Sequence, residues 1–210
     1  FRHLLFKVTE DVLIPRLETE LLVEHVLKIA SSYPPPLKIV DVGTGSGAIA
    51  LSLAYELPEA IVYALDISKE ALKIASENAQ NYNLNDKVFF VESDLFSNLK
   101  NVLNCPVDVI VSNPPYISSE SLKSLQREVY RFEPLVALDG GENGLEIISR
   151  IINESFEYLQ PRGCLALEVG FGQAKKVVDL FKQGNCFEEI EIFSDYAGVE
   201  RFVVGFKKSL

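Results

Sequence analysis

The chain has 210 residues, 48% of them apolar, and a formal net charge of −10. That length fits one large domain, or one domain with an appendage, and the apolar content suffices for a sizeable core. No apolar run approaches the ~20 residues of a membrane span, no signal-peptide order opens the chain, and the longest Lys/Arg cluster, Lys207-Lys208, is too short for a nucleic-acid footprint. The chain starts at Phe1 and contains no Met, so a fragment whose natural start lies upstream is expected. Cys105, Cys164 and Cys186 lie in or beside apolar stretches without metal-ligand spacing. Free thiols in a reducing cytoplasm are the expectation, with no metal.

Phe6 to Thr9 alternates like a short strand, and Leu17 to Ala30 has the spacing of an amphipathic helix. A proline-rich connector, Ser31 to Pro36, follows. Residues 1–36 therefore read as a segment and linker ahead of a domain spanning 37–210. From Leu37 strands and helices alternate. Strands are predicted at 37–42, 61–65, 87–91, 107–111, 165–169, 187–193 and 201–206. Helices are predicted at 48–57, 69–81, 118–131, 145–159 and 173–181, with Ser68 capping the second of these. The last two strands are joined too tightly for a crossover helix, so they should run antiparallel. This order predicts an α/β, Rossmann-like, mostly parallel seven-stranded sheet with helices on both faces and an antiparallel terminal strand.

In such sheets ligands lie at the carboxyl ends of the strands. Four sequence features should meet there. The run Asp41-Val42-Gly43-Thr44-Gly45-Ser46-Gly47 joins the first strand to the first helix of the domain, and its glycines permit a tight turn and close ligand approach. The loop by itself does not separate a dinucleotide from S-adenosylmethionine, or either from a structural turn. Asp66, followed by Ile67, ends the second strand, where a carboxylate can accept ribose hydroxyls or serve the next helix as a cap. Asp94 ends the third, placed to meet an adenine amine, with Leu95 or Phe96 covering the ring. Three acids at successive strand ends suit a cationic sulfonium better than an anionic pyrophosphate.

The fourth feature is Asn113-Pro114-Pro115-Tyr116, directly after the fourth strand. Two prolines fix φ and remove two backbone donors, and the first drives Asn113 out of helical geometry. The loop is left rich in acceptors, which suits binding of an NH2 group.

Together GTGSG, Asp66, SDLF and NPPY resemble the class I S-adenosylmethionine-dependent methyltransferases that act on planar or amide nitrogens. Within that group the chain resembles the HemK/PrmC release-factor glutamine methyltransferases, through residues 12–20 (VLIPRLETE), Arg127-Glu128, Phe132-Glu133-Pro134, Ala137-Leu138, residues 140–145 (GGENGL), Glu168-Val169-Gly170 with Gln173, and residues 195–201 (DYAGVER). Leu17 departs from the family's usual proline. The resemblance implies transfer of a methyl group from S-adenosylmethionine, leaving S-adenosylhomocysteine, to the side-chain amide of the Gln in the Gly-Gly-Gln motif of peptide-chain release factors. It implies that Asn113 and the Pro114 carbonyl accept the two amide N–H groups, that Pro115 and Tyr116 complete the substrate site, and that Arg16 and Glu18 shape its outer wall. Asp41, Gly43, Thr44, Gly45, Ser46, Gly47, Asp66, Ile67, Asp94, Leu95 and Asn113 are the cofactor candidates. A monomer is expected, acting on a protein in the cytoplasm, with no direct nucleic-acid or membrane contact. The competing readings are methylation of another protein Gln or of an adenine amine, and a non-catalytic cofactor-binding module of translation.

Overall fold

The computed structural model of the chain describes residues 1–125 and 132–209. Seven strands, β1 (Lys38–Val42), β2 (Ile61–Asp66), β3 (Val88–Glu92), β4 (Val107–Ser112), β5 (Leu159–Glu168), β6 (Phe187–Ser194) and β7 (Glu200–Lys207), form one sheet in the order β3-β2-β1-β4-β5-β7-β6. The pairs among β1 to β5 are parallel, and β7 runs antiparallel between β5 and β6. The order reverses between β1 and β4, so the loops leaving Val42 and Ser112, which are register partners, part to opposite sides and open a crevice.

Alternation along the central strands divides the core between two faces. Ile39, Val109, Val111, Cys164 and Ala166 join one cluster with helices α1 (Leu17–Ala30) and α2 (Ala48–Glu56), and with Ala79 of α3 (Lys69–Asn81). Val40, Ile110, Leu165 and Leu167 join the other, with α4 (Glu146–Ser155) and α5 (Ala174–Gln183). Ser68 caps α3 as its sequence predicts, its hydroxyl accepting the Ala71 N–H at 3.1 Å. Among the described residues no helix is long and apolar enough to cross a membrane.

Three expectations fail, and a fourth falls partly outside the described residues. Phe6 to Thr9 is not a strand. Its backbone is held by a side chain: Asn78 Oδ1 accepts Lys7 N–H and Asn78 Nδ2 donates to Lys7 O, at 2.8 and 3.0 Å. One amide thus does locally what a neighbouring strand would do. The helix expected at 145–159 ends at Ser155, and Leu159 already opens β5, paired with Val107. Pro161 and Gly163 hide that start, because they lie in an irregular stretch of β5 where Arg162 has φ 62°. Of the helix expected at 118–131, Ser121–Ser124 is a short 3-10 turn and residues 126–131, with the Arg127-Glu128 motif, lie outside the described residues. Phe96 turns into the core, 1% exposed and stacked on Tyr158, and covers no ligand.

The β7–α5 contact allows no added atom. A methyl group on Gly205 would come within 2.8 Å of the buried Phe181 ring, itself set edge-on to Phe187. Gly205→Ala is expected to destabilise the fold by ~1–3 kcal/mol, as overpacking does. Urea unfolding would show this as a lower midpoint with an unchanged m-value.

Candidate active site

The loop after β1 is fixed from below. Asp41, fully buried, accepts the Thr44 hydroxyl at 2.7 Å and the Ala50 N–H at 3.1 Å through the same carboxylate oxygen. Its other oxygen has no partner among the described residues. Burial pushes this carboxyl up to about 7, against the opposing pull of the Thr44 and Ala50 bonds, and nearby Asp66 adds to the rise.

The other N–H groups of the loop are also largely spent inside the protein. Gly43 and Thr44 both donate to Leu65 O at 2.9 Å, Gly47 donates to Thr44 O at 2.9 Å, and Gly45 donates to Asp66 Oδ2 at 2.8 Å. A phosphate site needs such groups pointing outward. Here the first turn of α2 already faces the Asp41 carboxyl, so the helix end offers little to a further anion. Gly43 and Gly45 have positive φ, 72° and 55°, and a methyl group on either would meet nothing within 4 Å. Their backbone lies open to the crevice. Gly47 faces inward, packed against Leu51 and Ala75.

Asp66 sits at the end of β2 with its carboxylate gripped by Gly45 N–H and Ser68 N–H, at 2.8 and 2.9 Å. Burial raises its pKa, with the Ser68, Gly45 and Ile67 N–H groups opposing. It lines the main hollow of the crevice beside Gly43, Gly45, Ile67, Asp94 and Leu95. Leu95 adopts φ 47°, a conformation rare for a non-glycine residue, which turns the chain sharply at the hollow. Asp94 is half exposed and held by Arg150 Nη1 at 3.1 Å. The far side is built by residues that sequence reasoning did not select: Val12 and Leu13, Pro134, Val136, Ala137 and Ile147. All but Ile147, in the first turn of α4, are apolar residues in loops or a 3-10 turn, where no periodicity marks them.

Asn113 and Pro115 close the hollow on the β4 side, while Pro114 is buried. Asn113 Nδ2 donates to Thr19 Oγ1 at 3.0 Å, and Thr19 donates to Glu168 Oε2 at 2.7 Å. The Tyr116 carbonyl accepts Gln173 Nε2 at 2.9 Å, and Gln173 Oε1 in turn accepts the Gly170 N–H at 2.8 Å. Backbone packs closely here: a methyl group on Gly144 would lie 2.4 Å from the Tyr116 carbonyl oxygen, and one on Gly140 2.8 Å from that of Pro115. Burial and then Glu168 push the Tyr116 phenol up to about 12, so it stays protonated.

Arg16 and Glu18 part company. Arg16 Nη2 pairs with Glu133 Oε1 at 2.5 Å, and Arg16 lines a second hollow with Thr44, Ser46, Thr19 and Asn113. This joins the 12–20 segment to the 132–138 segment across the crevice mouth. Glu18 is exposed and lines neither hollow; its charge adds slightly to the rise that burial produces in the pKa of both Glu168 and Tyr116. Glu20 binds Arg2 N–H and belongs to the N-terminal segment.

Comparison with known proteins agrees with this architecture. The model of the methyltransferase small domain matches residues 17–129. A release factor glutamine methyltransferase of Synechocystis is 44% identical over 97% of this chain and 69% of its own length. One from Gloeobacter violaceus is 42% identical over 97% and 70%. The crystal structure of a release-factor-specific protein-(glutamine-N5) methyltransferase from Alicyclobacillus acidocaldarius superposes with a TM-score of 0.59 at 28% identity, over 97% of this chain and all of that one.

The Asp41 carboxyl generates a pH prediction. Its pKa rises from 3.8 to about 7 on folding, so between those values the folded state holds a proton that the unfolded chain has released. Stability is then lost as pH climbs from about 4 to 7.5, by up to ~4 kcal/mol from this group. Asp41→Asn should flatten that decline, as read by urea unfolding at the two pH values; an unchanged slope would contradict the assignment.

Proposed function

This chain belongs to the release factor glutamine methyltransferase family, and from that premise we propose that it transfers a methyl group from S-adenosylmethionine to the side-chain nitrogen of the Gln in a release factor's Gly-Gly-Gln motif. The observation that carries the cofactor assignment is the spending of the loop's N–H groups on Leu65, Thr44 and Asp66, with Asp41 facing the α2 terminus. A pyrophosphate would find few donors and two nearby carboxyls. A nucleoside with a cationic sulfonium and an ammonium fits the same surroundings: acceptors for hydroxyls and positive charge, and apolar side chains for a base. Asp66 would take the ribose hydroxyls, Ile67 and Leu95 the faces of the adenine, and Asp94 its edge. Gly43 and Gly45 give close backbone approach, and Thr44 and Ser46 lie nearest the amino-acid tail. Asp41 acts beneath them, through the loop and the field it sets.

When bound, S-adenosylmethionine supplies an electrophilic methyl group. The protein's part is to present the nitrogen. An amide nitrogen is a weak nucleophile because its lone pair is delocalised, and the residues of Asn113-Pro114-Pro115-Tyr116 themselves include no strong base. Holding the NH2 between the Asn113 side-chain oxygen and the Pro114 carbonyl would fix its direction, and such orientation is worth ~7–11 kcal/mol in favourable cases. Acceptors on both N–H bonds also stabilise positive charge as it develops on the nitrogen. Pro115 and Tyr116 complete the slot, and Arg16 stands at its mouth. The surplus of acidic residues favours a protein over a nucleic-acid substrate. Cys164 is buried and its thiol pushed up to about 12 by that burial, which fits a free cysteine in a reducing cytoplasm. Residues 37–210 carry this chemistry, with 1–36 contributing the α1 wall.

Mass spectrometry of a release factor incubated with the protein and S-adenosylmethionine should show one added methyl group on the Gly-Gly-Gln peptide. Asn113→Ala should lower kcat by ~10²–10³-fold, the loss typical of one oriented hydrogen-bonding group, with cofactor affinity nearly unchanged. Asp66→Ala should do the reverse, weakening S-adenosylmethionine binding by calorimetry roughly 10- to 100-fold for the lost charged hydrogen bonds. Equal loss of binding and turnover in both variants would sink these roles.

A further inference from the structure

Glu168 is 3% exposed at the end of β5, following Leu165, Ala166 and Leu167 in the core. A carboxyl buried there costs folding free energy, and a satisfied hydrophobe could fill the space. Its hydrogen-bond geometry suggests what offsets that cost. Glu168 Oε2 accepts the Thr19 hydroxyl at 2.7 Å, and Thr19 Oγ1 accepts Asn113 Nδ2 at 3.0 Å. A hydroxyl has one proton. Burial raises the Glu168 pKa to about 7, and in its ionised form the group only accepts; with the hydroxyl proton given to that carboxylate, Thr19 has nothing but lone pairs to offer Asn113. The asparagine must then turn its NH2 toward Thr19 and its oxygen the other way. A flipped amide would set oxygen against oxygen.

We propose that Glu168, acting through Thr19, is a positioning residue that locks the Asn113 amide with its oxygen toward the crevice, so that the site selects a substrate group that donates N–H. The inference rests on the role given to Asn113 above. The relay joins three elements distant in sequence, α1, β4 and β5, so the orientation of one side chain is set by the sheet and by the helix covering it. Without it Asn113 could present either end to the crevice, and an NH2 there would repel the substrate's own.

Thr19→Val keeps the side-chain shape and removes the hydroxyl. It should lower kcat roughly 100-fold, the scale of a misplaced reacting group, while S-adenosylmethionine affinity stays near that of the unaltered protein and the unfolding midpoint falls modestly, because the buried Glu168 carboxyl loses a hydrogen-bond donor. Thr19→Ser should largely restore kcat. Glu168→Gln, a second variant in case the introduced valine packs poorly, should also lower kcat with cofactor affinity retained, because an amide at 168 can donate as well as accept and the relay loses its single direction. The decisive comparison is Thr19→Val in an Asn113→Ala background, where no further loss is expected, since no amide is left to orient. An equal fold-loss in both backgrounds would mean a general packing role and overturn the relay. So would full activity of Thr19→Val in a protein whose unaltered form methylates the release factor. If the unaltered protein transfers no methyl group to any release factor Gln, the substrate reading falls, and the relay with it.

Discussion

The buried carboxyl of Asp41 is the constraint on which the cofactor side of the crevice depends. It binds the Thr44 hydroxyl and the Ala50 N–H, and so makes the end of β1, the glycine loop and the first turn of α2 one unit. The same contact decides what the crevice can hold. An α/β loop of this kind ordinarily presents N–H groups and a helix dipole to a phosphate. Here a carboxyl stands at the helix end, and the loop's donors close on Leu65, Thr44 and Asp66. The electrostatic preference shifts from anions toward a cationic ligand. Desolvation is the cost of this arrangement, visible in the raised pKa of the carboxyl.

The substrate side depends on a different kind of support. The Asn113 to Tyr116 loop leaves β4 at the switch point and gets little from regular secondary structure. It is held instead by Thr19 from α1, by Gln173 at the start of α5, and by glycine backbones that approach it too closely for any side chain. Proline stiffness limits the loop's own conformations, and these outside contacts choose among them. Arg16 and Glu133 then tie the two segments flanking the crevice mouth. The rigidity needed to orient a weak nucleophile is thus distributed over parts of the chain more than a hundred residues apart.

Most of the fold was legible because its signals are local. Apolar runs, the Ser68 cap and the glycine loop each announce an element within a few residues, and the short link before β7 announces an antiparallel pair. What misled was also local: Pro161 and Gly163 made the beginning of β5 look like a helix end, and Phe6 to Thr9 alternated like a strand although an asparagine side chain supplies its partner. Gly43, Asp66, Leu95 and Asn113 could be placed at one crevice from sequence because strand ends in a parallel sheet share an edge.

The sequence by itself determined the alternating architecture, the family to which the chain belongs, and the chemical groups delivered to the carboxyl ends of the strands. The architecture and the strand-end groups were legible because turn chemistry and hydrophobic period are properties of neighbouring residues, and the family because its motifs are short runs of adjacent residues. Only the tertiary structure decided that Asp41 works beneath the loop, that Phe96 belongs to the core, that Leu13 and Ile147 line the hollow, and that Glu168 stands behind Thr19 and Asn113. Those facts depend on which side chains meet across the sheet. Hydrogen-bond direction and desolvation exist only once distant segments are packed together.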